Sequence, residues 1–279
     1  MVSAMVLLLP IMLYPSTTAS IDIPVNATVL NSPPVLLEVS LDSSSIDPRS
    51  YFKVRVTAGD NNTISDILSV SIQLDNTAGD NPPHVFSWTR DGFSVASGNG
   101  KISIQNSMEP QDRKSSTGIW IFEVMLPGEM ASGRWELKGI VSDEEEESIE
   151  STLFWVNSFI SIALSEPTSI NLSVPPGQIS GDASTHIFVS YTSNEEVELL
   201  ITCTPFVGTT DNSFVLEPSS FSVWKEGRVR YQLAESPISI GSYRAGAEIP
   251  IHLILTVEIP QPFYDQDYEG IISMVLRPV

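Results

Sequence analysis

Three histidines, His84, His186 and His252, are the whole imidazole supply of this 279-residue chain. General acid–base and nucleophilic chemistry need such groups to converge with carboxylates or hydroxyls. Here they are scattered: His84 follows Pro82-Pro83, His186 opens an apolar run, and His252 falls on the opposite phase from Ile251. No two stand at metal-ligand spacing along the chain, so three surface or edge histidines are expected. Gly-x-Ser-x-Gly, P-loop, dinucleotide and His-Glu-x-x-His motifs are absent from the sequence, and the chain reads as non-enzymatic, with no catalytic residues and no required cofactor.

Calcium is the ligand for which the residues offer the most chemistry, because oxygen donors at alternating loop positions can cage a hard cation. Asp60, Asn61, Asn62 and Asp66 form the leading candidate; Asp75, Asn76 and Asp80, and Asp265, Asp267 and Glu269, form two more. None follows the EF-hand spacing, and the same Asx residues serve β-turns through local hydrogen bonds. The run Asp143-Glu144-Glu145-Glu146-Glu147 suits a solvated hairpin tip whose charge guards nearby strand edges.

Sugar-binding proteins present flat aromatic rings, and Trp88 and Trp224, beside Arg90 and Lys225, are the carbohydrate candidates. Trp120, Trp135 and Trp155 lie on apolar phases and are expected in the core. Asn26, Asn61 and Asn171 fit the glycosylation sequon. Cys203 is the single cysteine. It permits no internal disulfide, and its phase with Leu199 and Ile201 predicts a buried, inert thiol.

The elements that must position these residues are strands. In Tyr51 to Leu74, Phe52, Val54 and Val56 alternate with Tyr51, Lys53 and Arg55, and Val70, Ile72 and Leu74 repeat the period across an Asx-rich loop. Similar runs follow: Leu37 to Leu41, Val85 to Thr89, a hairpin of Phe93 to Val95 with Lys101 to Ile104 across Ser97-Gly98-Asn99-Gly100, Ile119 to Met125, Trp135 to Gly139, and Leu153 to Val156. The second half offers Ile160 to Leu164, Ile170 to Val174, His186 to Tyr191, Val197 to Cys203, Ser213 to Leu216, Phe221 to Val223, Val229 to Leu233, Ile249 to Ile259 and Gly270 to Leu276. Ile249 to Ile259 is the longest in-phase apolar file and is expected to be central. No stretch has a sustained helical period.

Length and composition suit two domains with real cores: 42% of residues are hydrophobic and 17% charged. The formal charge of −20 excludes affinity for phosphate backbones, so no nucleic-acid partner is expected. Both halves share the acidity, with 9 basic and 20 acidic residues up to Asn157 and 5 and 14 after it. Residues 1–20 resemble a secretory signal peptide, with the apolar run Val6 to Leu13 and small residues at Thr17 and Ala19 but no basic residue ahead of it. That run is too short to span a bilayer, and no later segment is long and apolar enough to span one, so the mature chain is expected to have no transmembrane segment.

The run PPVLLEVSLDSSSIDPRSYFKVRVTAGDNNTISDILSVSIQLD resembles the opening of immunoglobulin-like modules in archaeal and bacterial cell-surface proteins. IPIHLILTVEIPQPFYDQDYEGIISMVLRPV is similar to their final hairpin. The resemblance implies an all-β chain of two immunoglobulin-like antiparallel β-sandwich domains in tandem, located at the cell surface or outside the cell. The expected organisation is a signal peptide at 1–20, a lead-in at 21–34, one sandwich at 35–157 and a second at 158–279. The expected function is structural, adhesive or assembly-related, with other surface proteins or further copies as partners through edge strands. The alternative is a carbohydrate-binding module with glycans as partners.

Overall fold

The computed structural model describes residues 30–78, 82–166, 169–175, 177–178, 186–225, 228–259 and 265–279. Residues 32–279 form one compact unit with two separate hydrophobic cores. The described residues are all-β, in several largely antiparallel sheets. Among them no helix is long and apolar enough to cross a membrane. The expected signal peptide and most of the lead-in lie outside the described residues.

The first half contains β1 (Val35–Leu41), β2 (Ser45–Ile46), β3 (Tyr51–Gly59), β4 (Ser69–Asn76), β5 (His84–Thr89), β6 (Gly92–Ser97), β7 (Lys101–Ile102), β8 (Thr117–Met125), β9 (Gly133–Ser142) and β10 (Glu147–Val156). They form a four-stranded sheet, β1-β3-β8-β7, and a six-stranded sheet, β2-β10-β9-β4-β5-β6. Period-2 alternation sends one row of each strand inward. Phe52, Val54, Val56 and Ala58 of β3 meet Trp120, Phe122 and Val124 of β8, and share one core with Val70, Ile72 and Leu74 of β4 and Trp135, Leu137 and Val141 of β9. Gly139 lets β1 close over β9: a Cβ there would lie 3.1 Å from Leu36 and from Val39.

The second half contains β11 (Ile160–Glu166), β12 (His186–Ser193), β13 (Val197–Cys203), β14 (Phe206–Gly208), β15 (Val215–Leu216), β16 (Phe221–Lys225), β17 (Val229–Gln232), β18 (Ile238–Tyr243), β19 (Gly246–Val257), β20 (Tyr268–Glu269) and β21 (Ile272–Pro278). A five-stranded sheet runs β11-β12-β19-β16-β17, with three-stranded sheets β18-β13-β21 and β15-β14-β20 beside it. β19, holding the long apolar file, is the middle strand of five. Its Ile251, Leu253, Leu255 and Val257 share a core with Leu199 and Ile201 of β13.

Four expectations about the strands need correction. Phe93–Val95 and Lys101–Ile104 do not form a hairpin, because β6 pairs with β5 while β7 pairs with β8. The chain changes sheets at the intervening corner, where Gly98 has φ +85° and a Cβ would sit 2.5 Å from His84 Nδ1. The last two long strands are also not a hairpin: β19 pairs with β12 and β16, whereas β21 pairs with β13. Ile170, Leu172 and Val174 pack against the second core from irregular backbone that joins no strand. In β10 the phase is inverted: Phe154 and Val156 are buried, and Leu153 and Trp155 face outward. Phe154 takes the inward place because its ring lies against Trp135, with centroids 6.4 Å apart.

At the junction between the halves a buried asparagine ties the connecting segment to the turn after β12. Asn194 is buried; its Oδ1 accepts from Phe159 N–H at 2.7 Å and its Nδ2 donates to the Asn157 carbonyl at 2.8 Å. Asn194 N–H donates to the Phe159 carbonyl at 3.2 Å. Arg49 adds a cation–π contact, its guanidinium 5.3 Å from the Phe159 ring centroid.

Candidate functional site

The Asp60–Asp66 loop leaves the end of β3 and is organised by its own backbone. Asp60 is buried, and its Oδ1 accepts from Asn62 N–H at 2.7 Å, an Asx turn. Asn62 Oδ1 accepts from Ser32 N–H at 2.7 Å, and Asn61 Nδ2 donates to Ser32 Oγ at 3.3 Å. Asp66 is exposed. Asp60 Oδ1 and Asn62 Oδ1 therefore serve a turn and the lead-in, whereas Asp60 Oδ2 is buried with no hydrogen-bond partner. In the second acidic group Asp75 Oδ2 accepts from Gln73 Nε2 at 2.6 Å, Asn76 Oδ1 accepts from Ala78 N–H at 2.8 Å, and Asp80 lies outside the described residues. Asp265, Asp267 and Glu269 are exposed. At the tip of the β9–β10 hairpin, Asp143 Oδ1 accepts from the Glu145 and Glu146 amides. Among the described residues no group of three or more His, Cys, Asp or Glu side chains converges.

The aromatic candidates separate. Trp88 is 2% exposed, so the expectation of an exposed sugar platform there is corrected. It packs on Trp120 with centroids 5.4 Å apart, and its Nε1 donates to Glu109 Oε2 at 2.7 Å. Its place on β5, in phase with buried Phe86, puts it in the core. Trp224 is half-buried on the outer face of β16. Its Nε1 donates to Thr256 Oγ1 at 3.2 Å, and the Arg230 guanidinium lies 5.9 Å from its ring centroid. Asn61 and Asn171 are exposed, and Asn26 lies outside the described residues.

Histidine placement differs most from expectation. His84 is buried against Trp135, and burial pushes its pKa below the ordinary imidazole value, partly opposed by Glu129. His186 and His252 meet on the outer face of the five-stranded sheet, with His186 Nδ1 2.7 Å from His252 Nε2. The β12–β19 register sets Phe188 opposite His252, and those two rings are nearly parallel with centroids 4.6 Å apart. Phe188 remains 46% exposed. Linear spacing hid this cluster. The usable signal was that His186, Phe188 and His252 all fall on the polar phase of strands whose other phase is apolar.

Cys203 is buried as expected, and desolvation pushes its thiol pKa up to about 11, which holds it protonated and unreactive at neutral pH.

A second surface feature follows from the inverted phase of β10. Ile149, Leu153 and Trp155 are 51%, 47% and 53% exposed, in one outward row. Across the register lie Ile140, Glu136 and Arg134 of β9. Beside that row, Lys138 Nζ stands 3.3 Å from Glu136 Oε2 and 3.5 Å from Asp75 Oδ2, and the Glu136 carboxylate, with Asp75 second, holds the ammonium above the usual lysine range. The result is an apolar row flanked by a charged band.

No family model matches the chain, and no curated protein matches it. A crystal structure of a protein of unknown function from Porphyromonas gingivalis W83 is similar at 10% identity and a TM-score of 0.22, covering 81% of this chain and 84% of that one.

Proposed function

We propose that this chain is an exported, non-enzymatic cell-surface protein of two immunoglobulin-like sandwiches in tandem, with a structural, adhesive or assembly role. The observation that carries the reading is the outward row Ile149, Leu153 and Trp155. The outward row of a strand facing water is ordinarily polar, as Arg134, Glu136 and Lys138 are on β9. Three large apolar side chains beside a charged band reproduce the apolar centre and polar rim of a protein contact surface. Two cores and the strand-rich chain support the tandem arrangement. Trp88 lies in the core and Trp224 is engaged by Arg230, so neither favours the carbohydrate reading.

The test is protease shaving of intact cells that express the protein, together with an attachment or aggregation assay of a Leu153→Glu/Trp155→Glu variant. Release of its peptides by shaving, and loss of attachment by a variant whose melting transition is retained, is the expected result. Confinement of the protein inside the cell, or full attachment by the folded double variant, overturns it.

A further inference from the structure

Each open sheet ends in edge strands whose free N–H and C=O groups can pair with another chain, and natural proteins guard them with charge, proline, bulges or brevity. Most edges here are guarded. In β1 the Leu36 N–H is spent on Ser148 Oγ at 3.0 Å, and the strand carries a bulge between Leu36 and Glu38. β2 and β7 have two residues each. β17 carries Arg230, β18 is irregular opposite Leu199/Leu200, and β21 ends in Arg277, held by Glu198 at 2.7 Å, and Pro278. β11 runs close to β21.

β6 is unguarded. Its six residues, Gly-Phe-Ser-Val-Ala-Ser, contain neither charge nor proline, they close the six-stranded sheet, and the last four are exposed. Phe93 and Val95 are set opposite Trp88 and Phe86, on the core side. Phe93 reaches the Phe122 ring, with centroids 5.1 Å apart, but Val95 is 39% exposed because no strand lies beyond it. An added strand would both pair the free backbone and cover Val95.

We propose that β6 is a strand-addition edge that a second copy of this chain occupies, antiparallel about a two-fold axis. Antiparallel pairing of a strand with itself is isologous, so one edge, regular from Gly92 to Val95, supplies both sides of the contact. Charge selects the same place. A chain of net charge −20 repels its copies over most of its surface, and β6 offers an uncharged border. Exposed Asp91 precedes the strand and exposed Lys101 follows its far corner, so antiparallel pairing turns the acidic end of each copy toward the basic end of the other.

The inference rests on the assembly reading and names its partner; the β10 row stays free to act separately. The test is sedimentation equilibrium of the full chain over a concentration series, repeated with Val95→Lys, with Ala96→Lys as a second, exposed substitution, and with Leu153→Glu/Trp155→Glu. A dimer whose midpoint concentration rises by more than roughly tenfold in both lysine variants, and holds in the β10 variant, is the expected result. A Ser94→Cys variant, placed near the two-fold axis, would then form a covalent dimer under oxidation, since Cys203 is buried. A monomer throughout, or a dimer indifferent to both lysines, overturns the second copy as occupant. If attachment in the cell assay still depends on Leu153 and Trp155, that failure leaves the function reading intact.

Discussion

His186 Nδ1 and His252 Nε2 lie 2.7 Å apart across β12 and β19, joined by a hydrogen bond between residues 66 positions apart in the chain. An N–H···N bond between imidazoles requires one ring to donate and the other to offer a lone pair, so the bond fixes complementary tautomers. His252 also stacks on Phe188, and the two contacts can be separated. His252→Phe keeps an aromatic ring against Phe188 and removes the bond; His252→Ala removes both. On this partly solvated face a double-mutant cycle between His186→Ala and His252→Ala is expected to give a coupling of about 0.5–1 kcal/mol. Urea denaturation measures it, and additive losses would show that the pair contributes nothing.

His84 has a pKa lowered by burial, so the fold retains the neutral ring. Since the folded value lies below the unfolded value near 6.5, the unfolded chain takes up the proton first as pH falls. The stability that neutral His84 permits is complete above about pH 6.5 and is lost as pH falls from there through the folded-state pKa. His84→Gln removes the titration. The difference in unfolding free energy between wild type and His84→Gln is expected to be flat above that pH and to change below it by at most about 1.4 kcal/mol per pH unit. Matched urea titrations along a pH series read this directly, and a difference independent of pH would contradict it.

Asp60 tests turn chemistry against a cation. Asp60→Ala removes the acceptor for Asn62 N–H and is expected to cost about 1–2 kcal/mol. Asp60→Asn keeps an acceptor there and replaces the orphan Oδ2 with a neutral amide, so its stability should equal or exceed wild type. If the loop is a turn and nothing more, millimolar calcium leaves the thermal midpoint of both wild type and Asp60→Asn unchanged. A calcium-dependent rise in wild type that Asp60→Asn abolishes would assign Oδ2 to a cation instead.

The strands were legible where one face is buried and the other wet, because Phe52, Val54 and Val56 or Trp135 and Leu137 admit one phase. β10 was not, since Ile149, Leu153 and Trp155 compete with Phe154 and Val156, and only contact with Trp135 decides between them. The Gly98 corner was legible as a turn, but turn chemistry does not say whether the next strand joins the same sheet. The Asp60 turn could be anticipated from Asx residues acting within a few positions. For His186 and His252 the phase of each was legible but their pairing was not, because cross-strand register in a five-stranded sheet is a long-range property. Three-residue β14 carries too few alternating residues to signal a strand.

Asn194 is the residue whose loss should be felt between the halves rather than within either. Its side chain holds both Phe159 N–H and the Asn157 carbonyl, and its position on the turn after β12 ties that turn to the connection leading into β11. The polar groups it serves have no path to equivalent partners once an alanine side chain stands there, and leaving a buried donor or acceptor unpaired costs about 1–3 kcal/mol. Neither hydrophobic core includes Asn194, so core packing should survive the substitution. Asn194→Ala is therefore expected to lower stability by about 1–3 kcal/mol while loosening the junction. Hydrogen exchange should show faster amide exchange at Phe159 and Asn194, with protection of β3, β9 and β19 retained. Uniformly faster exchange across both cores would instead mean that the junction and the cores unfold as one unit.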